Sequence, residues 1–167
     1  RRGLLMPAAF IDLAEQVGLM APLGEQVLRL AVAQCRAWLD AGVRCPVAVN
    51  VSPSQFSDPA FVERLLALLQ QAQLPPSLLA IEITESMAMS QGAMTVQRLD
   101  ALRAAGVVVA IDDFGTGYSN LSHLSQLPLD VLKIDQSLIQ GIGDNPKSEA
   151  IVRAILGMAR ALGHRVV

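Results

Sequence analysis

Apolar residues alternate in runs with two different periods along this chain. Pro7 to Val17 places Phe10, Leu13, Ala14 and Val17 on one helical face and stops at Gly18. A longer helix is predicted from about Pro22 to Ala41, ending at Gly42. Val47 to Val51 then reads as a strand, with Ala48 and Asn50 on one face. Ser52-Pro53-Ser54 reads as a loop. Asp58-Pro59 opens a helix through about Ala72, with Asp58 as its cap and Phe61, Leu65, Leu66, Leu68 and Leu69 as its apolar stripe. Leu78 to Thr84 is a strand interrupted by Glu82, with Glu85 just past its end, and Ser90 to Ala105 is a helix before Gly106. Val107 to Ile111 is an uninterrupted apolar run, read as a strand buried on both faces and ended by Asp112-Asp113. A Gly115-Thr116-Gly117 turn follows, then a short helix from Ser119 to Leu127. Leu129 to Ile134 is a strand carrying Lys133, with Asp135 on the same face. A turn at Asp144-Asn145-Pro146 leads to a helix from Lys147 to Leu162, and Arg165 to Val167 opens one more strand.

Alternation of strand and helix implies parallel strands joined by right-handed crossovers. Four complete strands and the start of a fifth are predicted. No Gly-x-Gly-x-x-Gly element opens a helix, so a dinucleotide-binding sheet is poorly supported. The fold class is α/β, and a (β/α) barrel fits best. A closed barrel needs about eight strands and about 250 residues, so at 167 residues the sheet is either open or an incomplete barrel with mainly parallel strands.

Composition narrows the function. The chain is 52% hydrophobic with a net charge of −2, which argues against broad binding to long nucleic acid but leaves room for a small phosphorylated ligand. Cys35 and Cys45 lack metal-site spacing and are expected as free thiols in a reducing cytoplasm. No apolar run is long enough for a membrane span.

Each strand in turn ends on a polar group: Asn50, Glu82, Asp112 with Asp113, and Lys133. Parallel strands bring these ends to one rim. Adjacent Asp112 and Asp113 can face one site only if the strand stops and the chain turns, which Gly115 permits. Three carboxylates and an amide together call for a cation, and all-oxygen donors suit Mg2+ or Mn2+. Lys133 adds positive charge for a phosphate or a nucleophilic water. The set suits metal-assisted phosphodiester hydrolysis. Singly, Asn50 could cap a loop, Glu82 could pair with an Arg, and Lys133 could extend to solvent. A Schiff-base lyase using Lys133 is a rival that so many anions disfavour. His123 and His164 stand isolated and read as surface or helix-end residues rather than ligands.

Asn50-Val51-Ser52, Glu82-Ile83-Thr84-Glu85, Asp112 to Ser119 (DDFGTGYS) and Lys133-Ile134-Asp135 together resemble the ordered motifs of the EAL domain, a family of bacterial cyclic di-GMP phosphodiesterases. Leu4-Leu5-Met6-Pro7 with Phe10-Ile11 and Ala14-Glu15 resembles the stretch just after that family's name motif. The resemblance implies a modified (β/α)8 barrel that linearises cyclic di-GMP to pGpG. It implies Asn50, Glu82 and Asp112 as metal ligands, Asp112 bridging two Mg2+ or Mn2+ ions, Asp113 on the second ion, and Ca2+ as an inhibitor. Lys133 would contact the catalytic water. Glu85 would hold the loop from Phe114 to Ser119, which couples the metal site to dimerisation in the family.

The Glu-Ala-Leu tripeptide is expected just upstream of Arg1, and a further Glu-bearing segment past Val167. The chain is thus expected to be one partial EAL domain over residues 1–167, truncated at both ends. These 167 residues alone are expected to show little or no hydrolysis, and turnover near the family's normal range would overturn that. An unclosed barrel exposes sheet edges and its apolar inner face, so association with another chain, or poor solubility, is expected. A homodimer is the expected assembly. The parent could carry a fused sensor or diguanylate cyclase domain, through which a cytoplasmic domain could be membrane-anchored. The competing reading is a degenerate module that binds cyclic di-GMP without cleaving it.

Overall fold

A computed structural model of the chain describes residues 3, 5–90, 92–115 and 124–167. Five strands form one sheet in the order β1 (Val47–Asn50), β2 (Leu79–Thr84), β3 (Val108–Phe114), β4 (Val131–Ile134) and β5 (Arg165–Val166), and every neighbouring pair is parallel. The expected α/β class and parallel sheet are therefore present.

The helices are α1 (Ile11–Gln16), α2 (Met20–Asp40), α3 (Pro53–Ser57), α4 (Phe61–Gln71), α5 (Glu85–Ser90), α6 (Gly92–Ala104), α7 (Gln136–Gln140) and α8 (Pro146–Leu162). Leu28, Val32 and Cys35 of α2, Phe61, Leu65 and Leu69 of α4, and Leu99 and Leu102 of α6 are buried at helical spacing. Beneath them lie Val49, Ile81, Ile83, Val109, Ile111 and Leu132, the alternate residues of the strands. Each such side chain removed from water contributes about 1.5–3 kcal/mol. Helical cover thus lies over one face of the sheet. On the other face burial is deepest at the centre: Ala48 and Asn50 of β1 are exposed and Ala80 and Thr84 of β2 half-buried, whereas the Val107–Ile111 run, expected to be buried on both faces, is buried throughout except at half-buried Val108.

Several boundaries differ from the sequence reading, each for a local reason. The first helix is a 3-10 turn at Pro7–Ala9 followed by α1, broken at Phe10 with φ −143°. Ser52-Pro53-Ser54 is not loop but the start of α3. The Ser52 hydroxyl accepts from Gln55 N–H while the Gln55 side chain accepts from Ser52 N–H. Asp58 does not cap α4. Its carboxylate accepts from Ala60 N–H at 2.9 Å and from Arg64 at 2.7 Å, ahead of a helix whose cap position is Ala60. An additional short helix, α5, begins at Glu85 directly after β2, and the helix expected over Ser90–Ala105 is present as α6. Asp135 caps the unforeseen α7 by accepting from Ser137 N–H at 2.8 Å. Gly163, at φ 77°, ends α8 as expected. The expected helix from Ser119 to Leu127, and the positions of Leu4, Thr116, Gly117, Tyr118, Ser119 and His123, lie wholly or partly outside the described residues.

Both cysteines are free. Cys35 is buried in α2, and burial, with the nearby Cys45, pushes its thiol up. Cys45 is exposed. Iodoacetamide followed by mass spectrometry is expected to label Cys45 within minutes and Cys35 only on unfolding. Equal labelling of the two would contradict this packing of α2.

Candidate active site

Register explains why four separated polar residues share one rim. Asn50 pairs with Glu82, Glu82 with Ala110, and Ala110 with Val131, forming one row across the sheet. Neighbouring strands lie about 4.8 Å apart. Two residues on, Thr84 pairs with Asp112, and Lys133 lies two residues beyond Val131, on the same face. All of these stand at the carboxyl ends of the strands, where parallel α/β folds gather their chemistry.

The row is held by one ammonium group. Lys133 Nζ lies 2.8 Å from Glu82 Oε2 and 3.0 Å from Asp112 Oδ1. Glu82 is only 7% exposed, so its charge needs this partner. Burial alone would lower the Lys133 pKa, but the hydrogen bonds and charges of Glu82 and Asp112 outweigh it and raise the group above its ordinary value. Among the described residues no three His, Cys, Asp or Glu side chains are gathered as a ligand group. Glu82 and Asp112 instead close on Lys133, with the exposed Asn50 beside Glu82 in register. The sequence reading placed Lys133 toward a phosphate or a nucleophilic water and did not foresee its pairing with both carboxylates.

The paired aspartates come together by a different device from the one expected. The strand does not stop at Asp112 but runs through Phe114. Its register with β4 slips between Ile111 and Phe114, inserting one extra residue. Asp113 takes up the slip in the left-handed region at φ 54°, a conformation that Asp tolerates better than most residues. The bulge, rather than the turn at Gly115, reorients the pair. Asp113 N–H donates to Asp112 Oδ1 at 3.1 Å. Burial first, then the charges of Asp112 and Asp135, raise the Asp113 carboxyl above the usual range, and it shares a hydrogen bond with Asp135. The Ser137 hydroxyl and N–H hold Asp135 below that range.

Glu85 opens α5 at 5% exposure, and its Oε2 accepts from Gly115 N–H at 2.9 Å. The end of β3 is thereby tied to the start of α5. Gly115 has φ 101°, and a Cβ there would come within 2.6 Å of Leu138 Cδ1 and 3.0 Å of Ile155 Cδ1. Leu138 can swing away, but the backbone cannot, so Gly115→Ala is expected to cost about 1–3 kcal/mol. Chemical denaturation checks this, and an unchanged midpoint would contradict it. How the rest of the Phe114–Ser119 stretch sits against Glu85 lies outside the described residues.

A parallel α/β sheet with an acidic, lysine-bridged rim at its strand ends is the architecture of a barrel-type α/β protein with a polar site. Comparison with known proteins then identifies the family. The EAL domain model matches residues 1–167, and the chain belongs to the EAL domain family. It is 38% identical over 165 residues to the cyclic di-GMP phosphodiesterase PA2567 of Pseudomonas aeruginosa, a match covering 99% of this chain and 28% of that protein. It is 41% identical over 168 residues to the bifunctional diguanylate cyclase/cyclic di-GMP phosphodiesterase MucR of the same organism, covering 100% of this chain and 24% of MucR. The solved MucR phosphodiesterase in complex with cyclic di-GMP superposes with a TM-score of 0.94 at 41% identity, covering 99% of this chain and 68% of that one. The chain thus spans about a quarter of the length of these two relatives. The structural neighbours are EAL domains with a TIM-like barrel fold, in agreement with the fold read from the sequence.

Proposed function

We propose that the protein containing this chain hydrolyses cyclic di-GMP to linear pGpG with a divalent cation, Mg2+ or Mn2+. The observation that carries this is the convergence of Glu82 and Asp112 on one positive group at the ends of adjacent parallel strands, in a chain of the EAL family. A site already holding one positive charge between two carboxylates, with an amide beside them, has the donor chemistry of a hard-cation site. Asn50, Glu82 and Asp112 would hold the ion, with Asp113 on a second one. Such ions supply charge neutralisation on the phosphoryl oxygens and a nucleophilic water at neutral pH.

The chain's own groups do the rest. Lys133 keeps its proton at Nζ, because both carboxylates favour the charged form, so it serves as a cation toward the phosphate and its attacking water. Glu85 holds Gly115 and keeps the bulge in place.

The share of the solved MucR chain that is matched supports reading residues 1–167 as part of one larger EAL domain. The larger share of full-length MucR left unmatched supports further domains in the parent, of sensor or diguanylate cyclase type. We also propose a cytoplasmic site of action and a homodimer. No helix among the described residues is long and apolar enough to cross a membrane.

The test is chromatography of cyclic di-GMP incubated with the full-length protein. Linear pGpG is expected with Mn2+ or Mg2+, and none in EDTA or with Ca2+ alone. Ligand retained under every condition without pGpG would assign a binding module instead.

A further inference from the structure

Helix α6 carries none of the rim residues, yet one of its side chains ties it to the segment that follows β1. Arg98 is 9% exposed and points from α6 to the end of α3. Its Nη1 donates to the Phe56 carbonyl and its Nη2 to the Ser57 carbonyl at 3.1 Å. The guanidinium also lies 5.8 Å from the centre of the Phe56 ring. Phe56 is fully buried and leans on Phe61, with centroids 6.0 Å apart. The two carbonyls belong to the last turn of a five-residue helix, which cannot satisfy them internally. A buried guanidinium needs such acceptors as much as they need a donor.

The other end of α3 leads to the site. Ser52 and Gln55 close its first turn on each other. Val51 N–H donates to the Glu82 carbonyl at 2.9 Å, and Asn50 stands beside Glu82 in register. The segment from Asn50 to Ser57 is therefore fixed at one end by β2 and at the other by Arg98.

We propose that Arg98 is a positioning residue for this site. It sets where the end of β1, with Asn50, stands relative to Glu82 and Asp112, and so sets affinity for the cation and for the cyclic dinucleotide rather than the rate of the chemical step. The inference rests on the functional reading above, and the experiment separates the two.

The full-length protein is compared with Arg98→Ala and Arg98→Lys by amide exchange across residues 51–61, by calorimetry of cyclic di-GMP in Ca2+, and by KM and kcat in Mn2+. Arg98→Ala is expected to speed exchange in that segment and to weaken cyclic di-GMP binding, each by about tenfold, since hydrogen bonds to a charged donor are lost. kcat is expected to stay within about twofold. Arg98→Lys keeps a cation and one donor direction, and should recover part of both losses. Unchanged exchange, a loosened segment with unchanged affinity, or a fall in kcat at constant KM would each overturn the proposal. If Arg98→Ala does not fold, Arg98→Lys decides by the same criteria. If the unsubstituted protein binds no cyclic di-GMP, the functional reading fails. Arg98 is then judged on Mn2+ affinity, where weakening in the variants supports its positioning role and no change overturns it.

Discussion

Replacing Glu82 with Gln is expected to lower kcat for cyclic di-GMP hydrolysis by about 10³-fold or more, the scale seen when one electrostatic element of a phosphoryl site is removed. Gln keeps the length and shape of the side chain, so the packing of β2 between β1 and β3 is kept. What it loses is the negative charge. Glu82 is buried where Asn50, Asp112 and Lys133 are not, and its carboxylate lies 2.8 Å from Lys133 Nζ. Without it the two carboxylates that could share an ion are reduced to Asp112 alone, with Asn50 a neutral neighbour. Steady-state kinetics of the full-length protein in saturating Mn2+ measures the loss. A loss of tenfold or less would mean that Glu82 serves only the Lys133 ion pair.

Lys133→Met should separate catalysis from cation binding, with opposite signs. Lys133 holds both Glu82 and Asp112. Removing its charge leaves two neighbouring carboxylates without their common partner, and breaking a buried pair in this way costs about 3–5 kcal/mol, discounted here because the Lys133 side chain is 28% exposed. The variant is expected to melt lower than wild type in EDTA and to regain stability when Mn2+ is added, because an ion that binds only the folded state stabilises it by mass action. Mn2+ affinity should rise, since no ammonium competes for the same oxygens. Hydrolysis should nonetheless fall by about 10²–10³-fold for want of a positive group at the phosphate. Scanning calorimetry with and without Mn2+, together with an activity assay, reads all three. A drop in Mn2+ affinity would show that Lys133 orients the carboxylates for the ion instead of competing with it.

The parts of this architecture that depend on local pattern were legible in the sequence. Alternation in Leu79–Thr84 shows Glu82 facing away from Ile81 and Ile83, and the parallel order follows from strand–helix repetition. The α3 signal was present in the Ser52–Gln55 spacing, but the proline after Ser52 reads equally well as loop, and a five-residue helix carries little periodicity of its own. The bulge at Asp112-Asp113 was not legible. It exists only as a mismatch between β3 and β4, and a slip in pairing leaves no mark on either strand alone. Arg98 was hidden for a similar reason: its acceptors lie 41 and 42 residues away, and an Arg on a helix face looks solvated until the neighbouring carbonyls are placed. Lys133 was recognised as a member of the site. Its pairing with both carboxylates follows from distances that register and side-chain reach supply together.

The most direct test is a Mn2+ titration by calorimetry, followed by a cleavage assay on the same sample, for the full-length protein and its Glu82→Gln variant. Saturable Mn2+ binding that weakens sharply in the variant, with pGpG formed only by the Mn2+-loaded unsubstituted protein, is the expected result. Cleavage that proceeds equally well in EDTA, or Mn2+ binding indifferent to Glu82, would contradict a shared cation at the strand ends.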